Sequence, residues 1–213
     1  MIVVLLGPPG SGKGTQAKKI VVEKGWAHVS TGDMLRAAIK SGSDLGVQAK
    51  KFIDQGMLVP DGLVVSLIGE RMKEEDCQRG FVLDGFPRNV AQAVVLDQML
   101  KVVGQGVGQV VLFDIADESL VKRLSGRRTC SQCSAMYHIE AVQPRREGIC
   151  DQCGSALVQR SDDQSEVILN RLKVYHQQTE PLIKFYRDQA KLVTLDAAKA
   201  ADEVNRSLTR ALG

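Results

Sequence analysis

The stretch Gly7-Pro8-Pro9-Gly10-Ser11-Gly12-Lys13-Gly14-Thr15 places four glycines around one lysine, a combination suited to holding phosphate. Glycines reach backbone conformations closed to other residues and let N–H groups come close to oxygens, while the lysine brings a mobile positive charge. Phosphate loops of this kind usually have Ser or Thr directly after the lysine, where the hydroxyl ligates Mg2+. Here Gly14 takes that position and Thr15 follows, so the ordering of Mg2+ is expected to shift toward Thr15, water and Asp84.

Four cysteines form a second set. Cys130-Ser131-Gln132-Cys133 and Cys150-Asp151-Gln152-Cys153 are two C-x-x-C pairs separated by sixteen residues, a spacing that fits zinc. Four thiolates fill a tetrahedron and leave no open position for water, so the expected role is to fold the segment that carries them. Two disulfides or a redox pair are the competing readings, weakened by the lack of a secretory signal and of a strand-to-helix redox context. Cys77 stands alone and reads as an inert thiol.

Arginines flank the cysteines. Arg123, Arg127 and Arg128 precede them and Arg160 and Arg171 follow, so both roots of the segment carry positive charge, as a hinged cover over phosphates requires. Ser30-Thr31-Gly32-Asp33-Met34-Leu35-Arg36 and Asp84-Gly85-Phe86-Pro87-Arg88 gather hydroxyls, carboxylates and arginines at turns and point to a second ligand. Asp84 follows a buried apolar run, where a carboxylate is costly without a cation, so a water-bridged Mg2+ is its expected partner. Asp33 has two readings, a second carboxylate toward Mg2+ or a helix N-cap.

These groups need elements to hold them. Ile2–Leu6 reads as a buried parallel strand directly before the glycine loop, and Lys13 to about Glu23 as the helix directly after it, with Gly25 past its end. That order aims free backbone N–H groups and a positive dipole end at an anion. Further strands are expected at Ala27–Val29, Phe81–Asp84, Val110–Phe113 and Leu192–Leu195, alternating with helices, the pattern of a doubly wound α/β sheet. Asp84 closes one of these strands, and strand ends are where such sheets bind ligands. Between Ser30 and Pro60, short helical patterns broken by Gly42, Gly46 and Gly56 suggest a small inserted subdomain. Asp61 is the expected N-cap of a longer helix running through Met72, and Ser161 to Gln164 reads as a capping box.

With 44% hydrophobic and 25% charged residues, the composition is that of a soluble globular chain and excludes disorder and fibres. No apolar run approaches the length of a membrane span and no signal-like segment is visible, so a cytoplasmic location is expected. The formal net charge of +3 falls to +1 if four thiolates sit on one Zn2+, so global basicity does not argue for nucleic acid. Aromatic residues make up only 4% and form no basic-aromatic stacking strip, which counts against a zinc-ribbon module for RNA or DNA.

The loop ending Gly12-Lys13-Gly14-Thr15, the segments Ser30–Arg36 and Asp84–Arg88, Gly126-Arg127-Arg128 and the four cysteines together resemble the adenylate kinases of the bacterial long-lid, zinc-containing type over nearly the whole length. The resemblance implies an α/β, P-loop nucleoside triphosphate hydrolase-like three-layer fold, with a five-stranded parallel sheet and helices on both faces. It implies a core of residues 1–29, 60–125 and 164–213, an AMP-binding insertion at 30–59 and a zinc-containing lid at 126–163. The implied reaction is the reversible, Mg2+-dependent transfer of the terminal phosphoryl group of ATP to AMP, giving two ADP. It further implies a monomer without nucleic-acid or membrane partners.

By this resemblance Gly10, Ser11, Gly12, Lys13, Gly14 and Thr15 would hold the ATP phosphates, Arg123 would stack on adenine, and Arg127 would join the phosphate cluster. Met136, Tyr137 and Ala197 would line the ATP site. Thr31, Arg36, Met57, Leu58, Val59, Gly85, Phe86, Pro87, Arg88 and Gln92 match AMP positions, and Arg160 and Arg171, also on the AMP side, would clamp phosphates as the lid closes. Lys13, Asp84, Arg88, Arg127, Arg160 and Arg171 would carry catalysis, Asp84 and Asp33 would order the water shell of Mg2+, and Cys130, Cys133, Cys150 and Cys153 would bind structural Zn2+. The AMP phosphate is itself the nucleophile, so His28, His138 and His176 receive no catalytic role. Two places depart from the family pattern: Gln143-Pro144-Arg145 stands where the lid often has Asn-Pro-Pro, and Ala197 where a glycine usually frames the adenine. A left-handed backbone there would strain alanine. A kinase for UMP or CMP would share the loop and most arginines, and Thr31 and Gln92 favour AMP only through the resemblance.

Overall fold

The first strand, β1 (Ile2–Leu6), is apolar at every position because both of its faces are covered. Ile2, Val4 and Leu6 pack into one cluster with Leu83, Phe86 and Leu96, whereas Val3 and Leu5 pack into another with Ala17, Ile20 and Leu208. The two-residue period of a strand divides one apolar run between two cores, and the sheet becomes the middle of three layers. These features belong to a computed structural model covering Met1–Gly213.

After β1 come α1 (Lys13–Lys24), β2 (Ala27–Ser30), α2 (Thr31–Ser41), α3 (Asp44–Ile53), α4 (Asp61–Arg71), β3 (Phe81–Asp84), α5 (Val90–Val102), β4 (Gln109–Asp114) and α6 (Asp117–Ser125). Three short strands follow, β5 (Arg127–Cys130), β6 (Met136–His138) and β7 (Leu157–Val158). The chain ends with α7 (Ser165–Val174), α8 (Pro181–Arg187), β8 (Leu192–Asp196) and α9 (Ala201–Leu212). All five strands expected of the main sheet form, and they run parallel in the order β2–β3–β1–β4–β8. The order reverses at β1, so a crevice opens beyond the carboxyl ends of β1, β3 and β4. The glycine loop leaves β1 there, and Asp84 ends β3 beside it. The short strands form a separate antiparallel sheet, β6–β5–β7, which carries the cysteine pairs.

Three local expectations are corrected by tertiary contacts. Gly46 breaks no helix: it is a buried residue inside α3, where a Cβ would lie 2.1 Å from the Ala38 carbonyl oxygen of α2. Close approach of the two helices demands glycine at this site. Asp61 does not cap α4 but opens it after Pro60, and its carboxylate accepts from Asn89 Nδ2 at 3.1 Å and Gln92 Nε2 at 2.7 Å. Ser161 to Gln164 forms no capping box: Ser161–Asp163 is a short 3-10 turn, α7 begins at Ser165, and the Ser161 hydroxyl donates to Asp54 Oδ1 at 2.7 Å. A remote carboxylate replaces the local backbone N–H as its partner.

Candidate active site

Gly12 caps α1 in a left-handed conformation, φ 97°, which glycine adopts without strain. Gly14 is a glycine for another reason, since a Cβ there would sit 3.1 Å from Asp84 Oδ2. A Ser or Thr at this place would press against the carboxylate, so the absent hydroxyl and the presence of Asp84 are two sides of one arrangement. Lys13 Nζ donates to the carbonyls of Gly7 at 2.7 Å and Pro8 at 2.8 Å. Burial lowers its pKa to about 8, against the attraction of Asp84 and with the repulsion of Arg88 and Arg171. Burial also opposes ionisation of Asp84, but His28 and Lys13 outweigh it and hold the carboxyl below the ordinary value. The His28 Nε2 atom approaches Asp84 Oδ2 to 3.4 Å.

The crevice is a cavity of about 1230 Å³ lined by the loop, Asp33, Asp84, Arg36, Arg88, Arg123, Arg127, Arg160 and Arg171. Single-ligand pockets span roughly 300–1000 Å³, so this one lies above that range. Gly85, Pro87, Met136, Tyr137 and Ala197 also line it. A smaller pocket beside it gathers Thr31, Met57, Leu58, Val59 and Gln92 with Arg36 and Arg88. Phe86 is wholly buried in the sheet core and faces neither space.

The arginines are held from several segments. Arg88 Nε donates to the Gly85 carbonyl at 2.8 Å, its backbone N–H donates to Gln92 Oε1 at 2.7 Å, and its carbonyl accepts from Thr179 Oγ1 at 2.7 Å. Both ends of the Gln92 amide are committed, to Arg88 and to Asp61, so it fixes the Arg88 backbone. Arg127 Nε and Arg171 Nη1 meet on the wholly buried Asp163, at 2.7 and 3.0 Å. Arg171 also reaches Asp162 Oδ2 at 3.1 Å. Burial raises the Asp162 carboxyl, yet Arg171 and Arg127 outweigh it and bring it below the ordinary value. Burial lowers the pKa of Arg88 to about 10 with Arg171 adding repulsion, and that of Arg160 to about 10 with Arg127 and Arg36.

Other expected residues fall in less direct places. Asp33 is not an N-cap: Ser30 caps α2, its Oγ accepting from the Asp33 N–H at 3.3 Å, while the Asp33 carboxylate takes Arg36 at 2.6 Å. Ala197 is not among the residues with positive φ, so the expected strain is absent, and its carbonyl accepts from Arg123 Nη1 at 3.0 Å. Tyr137 turns its hydroxyl away from the cavity, 3.6 Å from Cys150 Sγ, and accepts from the Asp151 N–H at 2.8 Å. His138 faces the Glu140 and Ala141 N–H groups, and His176 lies between Asp117 and Glu180.

The sulfurs of Cys130, Cys133, Cys150 and Cys153 all lie within 4.8 Å of one another, the closest pairs at 3.4 and 3.5 Å. All are free thiols, far beyond the ~2.05 Å of a disulfide bond. A tetrahedron with metal–sulfur arms of ~2.3 Å has edges of about 3.8 Å, so the cluster has the size and soft donors of a four-thiolate metal site.

A family description, "Adenylate kinase", matches residues 5–191. An adenylate kinase from Syntrophobacter fumaroxidans is 47% identical over 213 residues, with the whole of both chains aligned. One from Carboxydothermus hydrogenoformans is 48% identical over 212 residues, covering 100% of this chain and 99% of its own, and one from Clostridium tetani is 46% identical over 213 residues. The chain belongs to the adenylate kinase family. In this candidate site, no motif along the chain singles out Asp162 and Asp163, the counterions of Arg127 and Arg171. Their signal is two adjacent acids between two assigned arginines. Nor does a motif single out His28, whose place beside Asp84 comes from the parallel pairing of β2 and β3.

Proposed function

We propose that the chain catalyses reversible phosphoryl transfer from ATP to AMP, giving two ADP, and the observation that carries this reading is the convergence of Lys13 and six arginines on one cavity above the single-ligand range. Residues 10–15 hold the donor phosphates, with Arg123, Met136, Tyr137 and the Ala197 backbone around the donor base. Thr31, Arg36, residues 57–59 and the segment Gly85–Arg88 hold the acceptor, with Gln92 keeping Arg88 in place. Residues 1–29, 60–125 and 164–213 act as the core, 30–59 as the acceptor-binding insertion and 126–163 as the lid.

Phosphoryl transfer spreads charge over the equatorial oxygens, and catalysis is mostly positioning and electrostatic stabilisation. Lys13, Arg88, Arg127, Arg160 and Arg171 supply that stabilisation from half-buried positions, where it is stronger than in open water. The acceptor phosphate attacks directly, so no side chain needs to remove a proton, and none of the three histidines is placed to do so. The arms close over the cavity and exclude water that would hydrolyse the donor. Mg2+ bound with the donor nucleotide supplies further charge neutralisation, and the hard, buried oxygens of Asp84 fit its hydrated ion. Asp33, paired with Arg36, is the weaker of the two carboxylates for that task. The four cysteines fit Zn2+ in a structural role. We read the protein as a cytoplasmic monomer on the family likeness, and no helix is long and apolar enough to cross a membrane.

A coupled assay of ADP formation, with ATP and each of AMP, UMP, CMP and GMP in turn, tests reaction and acceptor together. Turnover is expected with AMP and at least ten times less with the others. Preference for UMP or CMP would refute the acceptor assignment, and no turnover with any would refute the reaction.

A further inference from the structure

The C-x-x-C turn that opens the cysteine cluster is gripped from two sides. Lys18 Nζ, on α1, donates to the Ser134 carbonyl at 2.9 Å. Lys40 Nζ, on α2, donates to the Ser131 carbonyl at 3.2 Å and to Gln132 Oε1 at 2.7 Å. In the same turn the N–H groups of Gln132 and Cys133 point at Cys130 Sγ, each at 3.4 Å. Ser134 holds φ 58°, a left-handed conformation that a non-glycine residue keeps only when its surroundings impose it. One short turn therefore has its N–H side on a metal-binding sulfur and carbonyls on two lysines. The lysines come from the two other parts of the molecule that border the cleft, the helix behind the glycine loop and the 30–59 insertion.

We infer that this turn is the catch that keeps the β6–β5–β7 sheet closed over the cleft, with Lys18 and Lys40 as positioning residues for phosphoryl transfer and metal retention linked to nucleotide binding. The inference rests on the two-nucleotide reaction proposed above. The turn presents its carbonyls in this array only while its sulfurs are held together, so a bound metal preorganises the surface that the lysines grip. Nucleotide in the cavity bridges the 30–59 insertion and the β6–β5–β7 sheet and so strengthens the hold of both ammonium groups on the turn. By reciprocity, the closed arms oppose the opening of the turn through which the metal leaves. Groups around metal ligands commonly change metal affinity tenfold to a hundredfold, so the effect is large enough to measure.

The test uses the full-length, zinc-loaded chain challenged with an excess of a chromogenic chelator, with and without ADP at a concentration saturating for each variant. ADP is expected to slow zinc release by about fivefold or more, the lower end of ordinary coupling. The double variant Lys18→Met/Lys40→Met is expected to lose the protection by ADP to within about twofold. Lys40→Arg, which still offers N–H donors, retains it, and so does Lys19→Met, whose ammonium pairs with Asp202 and not with the turn. The KM for both nucleotides rises several-fold in the double variant. Equal protection in parent and double variant, or none in the parent, overturns the inference. ADP formation by the parent separates the two failures. An active parent with nucleotide-independent release loses only the catch, whereas a parent inactive toward ATP and AMP loses the reaction.

Discussion

In the cleft, positive groups crowd together at burial: Lys13 is brought down to about 8, and Arg88 and Arg160 to about 10, by desolvation and by one another. In the cysteine sheet, four sulfurs converge from two turns onto one point that a divalent cation would satisfy completely. Both regions concentrate charge, but the cleft leaves its charge for a ligand that comes and goes, whereas the cluster suits an ion that stays. Substitution in the cleft should therefore cost activity with little loss of stability, and metal loss in the sheet should do the reverse.

The sharpest break of that contrast is Lys13→Ala or Arg88→Ala. Either is expected to lower kcat by about a thousandfold, the worth of a transition-state cation, with a melting temperature close to that of the parent. Steady-state kinetics beside thermal melting measure both, and activity within tenfold of the parent would remove these residues from the chemistry. Asp163→Asn attacks the carboxylate shared by two of the cleft arginines. It leaves Arg127 without its carboxylate and Arg171 with Asp162 alone, and should cost about 3 kcal/mol in chemical denaturation, part of which bound ADP restores. On the other side of the comparison, metal analysis should find one zinc per chain. Chelation should lower the melting temperature, by roughly 2–4 °C for each kcal/mol of binding free energy lost, while cold turnover at saturating nucleotide stays within about twofold. A metal-free chain of full stability would contradict the metal assignment.

Smaller effects follow from titration. With its pKa lowered to about 8 by burial, Lys13 loses its charge as pH rises past that value, whereas bound phosphate favours the charged form. Binding should take up a proton, and affinity should fall by up to about tenfold per pH unit as pH rises past 8. Calorimetry in two buffers of different ionisation enthalpy reads the proton directly, and proton release would reverse the assignment. The smallest effect lies outside both regions. Hydrogen bonds to Glu180 and Asp117 raise the pKa of His176, so its contribution to stability is present at low pH and lost as pH rises through the raised value. His176→Gln should melt below the parent at pH 6 and with it at pH 9.

Most of the main sheet is legible along the chain, since buried parallel strands are continuous apolar runs such as Ile2–Leu6 and Phe81–Leu83, and Gly25 marks the end of α1. The cysteine cluster is legible because its spacing encodes one metal geometry. The Asp61 and Ser161 caps mislead because capping is a local preference of modest strength, and Asn89, Gln92 and Asp54 offer these side chains other partners. Gly46 misleads for a related reason: a glycine that breaks a helix and one that admits a neighbouring helix look alike in sequence.

Local residue pattern suffices for the strand-loop-helix turn, the two C-x-x-C pairs and the supply of arginines, because glycine conformation, strand period and cysteine spacing are properties of short segments. Tertiary structure alone decided which charges neutralise which. Asp163 joins Arg127 and Arg171, 36 and 8 residues away, Asp84 fills the space that Gly14 leaves, and the turn at Ser131–Ser134 meets Lys18 and Lys40. The strength of each pairing depends on burial, and burial exists only once the remote segments have packed.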